Sequence, residues 1–421
     1  MRILRLLLPC AFVLLLGGCI DARYPASLAL APAPESEAIY AALYPYYVEF
    51  CAVSEIRKRP GSAVDIEGGG PGGHSVLYLN GVCKTDAAYP EISLCDGKSS
   101  NQGVGISVNA HYRNANWSAI SGRDFFFHGA RAPGEPVGAA SYARTQARAK
   151  AEGALDGIEF HDEAMRDKPP GMSDRDFKYE LSIATDYAIG FGRDRYCARV
   201  PVNREKMGAV IFYLNSVNQP YRLGLKSFEW DVLRDNCAHL THNALAVVGL
   251  WRHWPTDRAL LVAAFDFPVP KNEFVNLVRR VNDLPIDDPE ALWDDRELRG
   301  ALTIQNWIAT RPGGLAEAER AVRDNTMYET DLRLIFFEEA ITGVYRRRFD
   351  AIFKRPRTTD LRSNLDYFAG LYDRILAARG NASPDFKTGE RATFLVAYYD
   401  RIASERSLLQ ASRARLSQLG H

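Results

Sequence analysis

The run Asp235-Asn236-Cys237-Ala238-His239-Leu240 decides how this chain is interpreted, because it places a cysteine where a helix should begin. Asp and Asn are preferred residues at the N-terminal cap of a helix, and an apolar stretch follows over residues 244–251. The unpaired N–H groups of a first helical turn favour a thiolate over a thiol. Because a thiolate is the nucleophile of cysteine-dependent hydrolases and acyltransferases, Cys237 is the first candidate catalytic residue.

A candidate base lies far upstream, in the run His74-Ser75-Val76-Leu77-Tyr78-Leu79-Asn80-Gly81. Its alternation predicts a β-strand that places His74 on the same face as Val76 and Tyr78. A neutral imidazole can take the proton of a thiol, so we take His74 as the candidate general base. The glycine-rich residues 61–73 before it lack the Lys-Ser/Thr of a phosphate-binding loop and predict a flexible entry loop.

Both runs resemble segments of one superfamily. The first eight residues from His74 resemble the histidine-bearing strand of the circularly permuted papain-like proteins, which are related to NlpC. Residues 236–240 resemble the Asn-Cys-x-His-Phe segment of the lecithin retinol acyltransferase-like members. The resemblance implies that Cys237 is the nucleophile and His74 the base. It also implies a third polar residue from the strand after His74, either Asn109 or His111, and an insertion near residues 129–193.

The first residues are typical of a bacterial lipoprotein leader. A short positive region precedes the apolar residues 6–16, and Leu16-Gly17-Gly18-Cys19 resembles a lipobox. The resemblance implies that residues 1–18 are a signal peptide and that Cys19 is acylated and inserts into a lipid bilayer. Ile20, rather than Asp, follows the cysteine and favours the outer membrane, facing the periplasm. An ordinary signal peptide is the alternative. Residues 19–37, rich in Ala and Pro, predict a tether.

The cysteine count fits an oxidising compartment. Seven cysteines are present; one lies in the leader, Cys19 is the acylation candidate and Cys237 the reactive candidate. The remaining four can form two disulfides. They are Cys51, Cys83, Cys95 and Cys197. The simplest local pair joins Cys83 to Cys95 and leaves Cys51 for Cys197, whereas five reduced, buried cysteines are the alternative.

Composition and periodicity set the class of fold. The 52 basic residues balance 52 acidic ones, which leaves no basic field to hold nucleic acid. The patterns predict an α+β fold: a small antiparallel sheet with a nucleophile-bearing helix over residues 38–268, then a mainly helical domain over 269–421. Within the first part we expect a helix over residues 36–53 and a strand over 122–128.

A metal or cofactor is not expected. Cys237, His239 and His242 form a Cys-x-His-x-x-His pattern, but residues 237 and 239 point apart on a helix and no second ligand cluster is visible. The sequence therefore favours an envelope lipoprotein that acts as a cysteine-dependent hydrolase or acyltransferase on amide or ester bonds. Peptidoglycan peptides are the candidate substrate, and peptidoglycan or envelope proteins the candidate partners. The alternative is a non-catalytic envelope scaffold or binding lipoprotein in which Cys237 is structural.

Overall fold

A computed structural model describes residues 19–21, 37–59, 67–68, 72–97, 102–265, 267–330, 332, 334–337, 344–380 and 388–419. The predicted signal peptide, most of the predicted tether and most of the glycine-rich residues 61–73 lie outside this part of the chain. Residues 19–21 of the predicted tether are described, and they form a strand that pairs with residues 335–337.

The described residues form strands and helices with the following bounds. The strands are β1 (Cys19–Asp21), β2 (Tyr47–Val53), β3 (Ile56–Arg57), β4 (Glu67–Gly68), β5 (His74–Asn80), β6 (Val82–Lys84), β7 (Ile92–Leu94), β8 (Gly103–Ser107), β9 (Ser118–Ser121), β10 (Arg195–Pro201), β11 (Leu315–Glu319) and β12 (Ile335–Phe337). The α-helices are α1 (Glu37–Leu43), α2 (Arg123–His128), α3 (Ala139–Ala151), α4 (Asp174–Ser182), α5 (Arg204–Arg222), α6 (Cys237–Ala246), α7 (Leu260–Phe265), α8 (Pro270–Asn282), α9 (Pro289–Asp294), α10 (Arg296–Gln305), α11 (Val344–Phe353), α12 (Pro356–Thr359), α13 (Leu361–Ala377) and α14 (Gly389–Leu419).

One antiparallel sheet organises the fold, with six strands in the order β11-β10-β2-β5-β8-β9. Every residue of β2 and β10 is buried, because helices cover both faces of the sheet centre. Helix α6 packs on β5, and α8 packs on β2 and β10. The predicted α+β class, with an antiparallel sheet and a helical C-terminal region, is confirmed. The division at residue 268 stays a prediction.

Strand β11 shows where the helical pattern of the C-terminal region is interrupted. Its sequence, Leu-Ala-Glu-Ala-Glu over residues 315–319, consists of good helix formers, yet it pairs with β10 and closes one edge of the sheet. Tertiary pairing overrides a weak local helix propensity here. The C-terminal region therefore contributes a strand to the same sheet that carries His74.

Two local predictions are wrong. The helix expected over residues 36–53 ends at Leu43, and the chain continues as β2, because Pro45 has no N–H and disfavours a helical conformation at Tyr44. The strand expected over residues 122–128 is helix α2, whose three consecutive phenylalanines are all buried. A short apolar run without alternation does not distinguish a strand from a buried helix.

The predicted cysteine pairing is confirmed. Cys51 and Cys197 face each other across β2 and β10 and form a disulfide with a Cα–Cα distance of 4.0 Å. Cys83 and Cys95 form the second, at 5.0 Å, while Cys237 is a free, buried thiol. Among the helices described, none has the length and apolar character needed to cross a membrane.

Candidate functional site

Cys237 is the first residue of α6, as the sequence predicts. The side chain of Asn236 caps this helix: its Oδ1 accepts hydrogen bonds from the N–H groups of Ala238, at 2.8 Å, and His239, at 3.3 Å. The Nδ2 of Asn236 donates to the carbonyl of Val232 at 2.6 Å, which fixes the cap to the preceding turn. The cap therefore orients the helix start and the thiol that it carries.

The thiol of Cys237 is buried, and burial raises its pKa. The N–H and hydroxyl of Ser75, the N–H of Ala238 and the guanidinium of Arg193 act in the opposite direction, but their combined effect is smaller. Burial therefore opposes the thiolate that the helix start is expected to favour, because it removes the charged form of the sulfur from water.

His74 lies at the start of β5, opposite Val53 of β2, and its hydrogen bond identifies its tautomer. Its Nε2 is 2.9 Å from Ser107 Oγ, and that hydroxyl donates to the carbonyl of Thr185 at 2.8 Å. Because the single hydroxyl proton is used on Thr185, Ser107 must accept a hydrogen bond from Nε2–H. Burial holds the pKa of His74 well below its usual value, so the ring is neutral and its lone pair is on Nδ1.

The sheet brings Cys237 and His74 to the same end of β5 without joining them. Ser75 Oγ is 3.1 Å from Thr241 Oγ1 of α6, so the side chain of Ser75 points toward that helix. Alternation directs the His74 side chain toward the opposite face, where it meets Ser107. Among the described hydrogen bonds, none links the imidazole to the sulfur. Ser75, and not His74, is therefore the β5 residue whose side chain faces the helix that carries Cys237.

Arg193 is a charged residue of the site that the sequence did not indicate. It is buried, and it donates from Nε to the carbonyl of Ala184 at 2.9 Å and from Nη1 to that of Ser54 at 2.6 Å. Burial lowers its pKa to about 10, which leaves it charged at neutral pH. Its charge lowers the pKa of both Cys237 and His74. No motif surrounds it, so only the folded structure reveals its position.

Among the described hydrogen bonds, none joins either predicted third residue to His74. Asn109 lies beyond the end of β8, and its Nδ2 donates to Asp186 Oδ2 at 2.8 Å. The ring of His111 stacks on Phe160, with centroids 6.0 Å apart, and burial lowers its pKa. Ser107 holds the orienting position instead. The alternation that placed Asn109 and His111 on one face also places Ser107 there. This pattern could have indicated Ser107 as a candidate orienting residue.

Asp186 forms a second layer behind Ser107. Its carboxyl group is fully buried, and burial raises its pKa to about 6. The hydrogen bond that Asn109 Nδ2 donates to Asp186 Oδ2 opposes this shift without cancelling it. Asp186 directly follows Thr185, the residue whose carbonyl accepts the hydrogen bond from Ser107. A buried, hydrogen-bonded carboxyl group therefore lies next to that carbonyl in the chain.

The histidines that follow Cys237 have separate surroundings. His242 Nδ1 is 2.5 Å from Glu273 Oε2, and its Nε2 is 2.9 Å from the carbonyl of Arg252, so neither nitrogen is directed at Cys237. The ring nitrogens of His239 are buried without a partner, and burial lowers its pKa to about 4. Within the described ranges, one cluster has the geometry of a metal site, Glu49 with Cys51 and Cys197, but these two thiols are consumed by a disulfide.

Comparison with known proteins adds no relative. No protein-family model, no curated protein and no solved structure matches this chain.

Proposed function

We propose that this protein is a cysteine-dependent hydrolase or acyltransferase of permuted papain-like type, with Cys237 as nucleophile and His74 as general base. The observation that carries the proposal is a free thiol at the capped start of α6, a helix that packs on the strand beginning with His74. The hydrogen bond from Nε2 of His74 to Ser107 leaves Nδ1 as the proton acceptor. The proposal requires the His74 side chain to turn from Ser107 toward α6, where Nδ1 can serve the nucleophile.

The reaction begins from a neutral pair. His74 Nδ1 takes the proton of Sγ as the sulfur attacks the carbonyl carbon of an amide or ester, and the N–H of Cys237 donates to the oxyanion that forms. The C–N or C–O bond then breaks, and the leaving amine or alcohol takes the proton from Nδ1. Water, or an acceptor alcohol or amine, attacks the thioester with Nδ1 again as base. Arg193 stabilises the thiolate while it exists.

A chromogenic ester tests this chemistry without knowledge of the natural substrate. We expect p-nitrophenyl esters to release p-nitrophenolate and to leave one acyl group on Cys237, detected by intact mass. Cys237→Ala abolishes both signals. His74→Gln lowers the acylation rate by about 100- to 10,000-fold, the usual contribution of a general base. Ser107→Ala causes a smaller loss, and the exposed His253→Gln serves as the matched control with an unchanged rate.

The competing proposal is a non-catalytic envelope scaffold. Two observations favour it: burial raises the pKa of the Cys237 thiol, and His74 bonds Ser107 in place of the sulfur. Under this proposal no acyl group accumulates on Cys237 with any ester. Cys237→Ala then changes stability alone, and His74→Gln behaves like His253→Gln.

We also propose that Cys19 is acylated and anchors the protein in the bacterial outer membrane. The lipobox-like Leu16-Gly17-Gly18-Cys19 supports this proposal. Growth with an alkyne palmitate analogue should label the wild-type protein and the matched control Cys10→Ser, but not Cys19→Ser. Equal labelling of both cysteine variants, or none in the wild type, would refute acylation at Cys19.

A further inference from the structure

The structure places the predicted acylation site on one identifiable flank of the protein. Strand β1 begins with Cys19, whose Cα is paired with that of Phe337, the last residue of β12. Helix α11 begins seven residues after Phe337 and packs on both β12 and α8. If Cys19 is acylated, the flank formed by β12, α8 and α11 therefore lies close to the bilayer.

One side of α11 is buried and the other is basic. The buried side consists of apolar residues, Phe349, Ile352 and Phe353. On the other side Arg347 is exposed and Arg348 half-buried, and the exposed Lys354 directly follows the helix. Among the described residues, none forms an ion pair with these three cations, which together form what we call the basic surface. The charge of the basic surface is therefore available to a partner outside the chain.

The surroundings of α11 keep an excess of positive charge. Residues 338–357 contain six basic and three acidic side chains. Two of the basic residues, Arg355 and Arg357, share the single carboxylate of Asp283, at 3.0 and 2.6 Å. The neighbouring acidic groups are therefore too few to neutralise the cations. This charge complements the phosphates of an anionic bilayer, which attracts clusters of basic residues beside a membrane anchor.

A short aliphatic helix lies near the same flank. Residues 260–262, at the start of α7, are Leu, Leu and Val, and they are 56, 68 and 51 % exposed. Helix α7 ends five residues before α8 begins, so this junction spans at most about 18 Å. In the first turn of α8, Lys271 Nζ donates to the carbonyl of Leu334 at 3.2 Å, directly before β12. The exposed apolar side chains are therefore within a short reach of the strands that carry Cys19, and contiguous apolar exposure is typical of membrane contact.

We propose that α7 and the basic surface of α11 rest on the bilayer that holds the acyl chains of Cys19. The proposal depends on acylation at Cys19 and adds to it the side of the folded protein that faces the lipid. The basic surface binds the phosphates of anionic headgroups, and residues 260–262 enter the boundary between headgroups and acyl chains. Because an acyl anchor alone leaves the protein free to rotate, this second contact fixes its orientation on the membrane.

Co-sedimentation with vesicles tests the surface without the acyl chains. The chain from residue 19 onward with Cys19→Ser keeps every described strand and helix. At about 10 mM salt, where screening is weak, we expect it to bind vesicles of equimolar phosphatidylglycerol and phosphatidylcholine but not vesicles of phosphatidylcholine alone. Replacing all three cations of the basic surface with glutamine should weaken binding about 100-fold, at about 5-fold for each cation. Leu261→Ser should weaken it about 10-fold through loss of apolar burial.

Each set of substitutions has a matched control. Arg204→Gln, Lys226→Gln and Arg415→Gln together remove the same charge from exposed positions elsewhere in the protein. Ile304→Ser removes an aliphatic side chain that is 84 % exposed on α10. Both control chains should bind the anionic vesicles as tightly as the parent chain, because neither changes α7 or the basic surface.

Binding to the anionic vesicles that both sets of substitutions weaken, and that neither control weakens, supports the proposal. It is overturned if the anionic vesicles do not bind, if phosphatidylcholine vesicles bind as tightly, or if either set weakens binding no more than its control. The palmitate label on the wild-type chain reports on acylation, whereas vesicle binding by the Cys19→Ser chain reports on this surface alone. A failure of acylation and a failure of the surface are therefore distinguishable.

Discussion

The buried carboxyl group of Asp186 should make the stability of this protein fall as the pH rises from about 4 to 6. Burial raises the pKa of Asp186 from its ordinary 3.8 to about 6. Between these values the folded chain keeps a proton that the unfolded chain has lost. Because the folded state binds more protons there, the free energy of unfolding decreases with increasing pH. The stabilising contribution is complete below pH 3.8 and is lost as the pH passes through about 6.

The magnitude follows from the size of the shift. A change from 3.8 to about 6 corresponds to about 3 kcal/mol, at 1.36 kcal/mol for each pKa unit. Asp186→Asn removes the titration and keeps an oxygen that can accept the hydrogen bond from Asn109 Nδ2. We therefore expect the stability of Asp186→Asn relative to wild type to rise by about 3 kcal/mol between pH 3.5 and pH 7.

Urea unfolding of wild type and variant across this range measures the difference directly. Titrations of all other groups are common to both chains and cancel, and any pH-independent cost of the substitution is a constant offset. Asp167→Asn, at an exposed position, is the matched control and should follow wild type at every pH. Parallel curves for wild type and Asp186→Asn would show that this carboxyl group does not titrate with a raised pKa.

Other substitutions test the scaffold of the site. Asn236→Ala should destabilise the protein by about 1 kcal/mol through loss of the α6 cap, measured by urea unfolding; an unchanged midpoint would contradict the cap. Replacing both Cys51 and Cys197 with alanine should lower the free energy of unfolding by about 5 kcal/mol, because their disulfide joins residues 146 positions apart. The Cys83–Cys95 disulfide joins residues 12 positions apart, so a larger loss on replacing that pair would refute this reasoning. His242→Ala should cost about 3–5 kcal/mol because it leaves Glu273 buried without its partner. Adding Glu273→Ala should recover part of the lost stability. If the effects of the two substitutions on the free energy of unfolding simply add, His242 and Glu273 do not form a direct pair.

Local signals explain the parts of the fold that were predicted correctly. The cap and first turn at residues 236–237 depend on neighbouring residues alone, and so does the alternation of β5. The count of cysteines in an oxidising compartment identified the four that can pair, and closeness in sequence favoured Cys83 with Cys95. Strand β11 was missed because its residues favour a helix, and only pairing with β10 makes it a strand.

The candidate site divides in the same way. The sequence determined a thiol at a helix start, a histidine at a strand start and the cysteines that pair without Cys237, because each is a property of adjacent residues or of composition. The tertiary structure decided the rest: Ser107 as the group that orients His74, the buried charge of Arg193, and the raised pKa of Cys237. Sheet register and desolvation produce these features. Both depend on which distant segments meet and on how much water they exclude, and short-range patterns carry neither quantity.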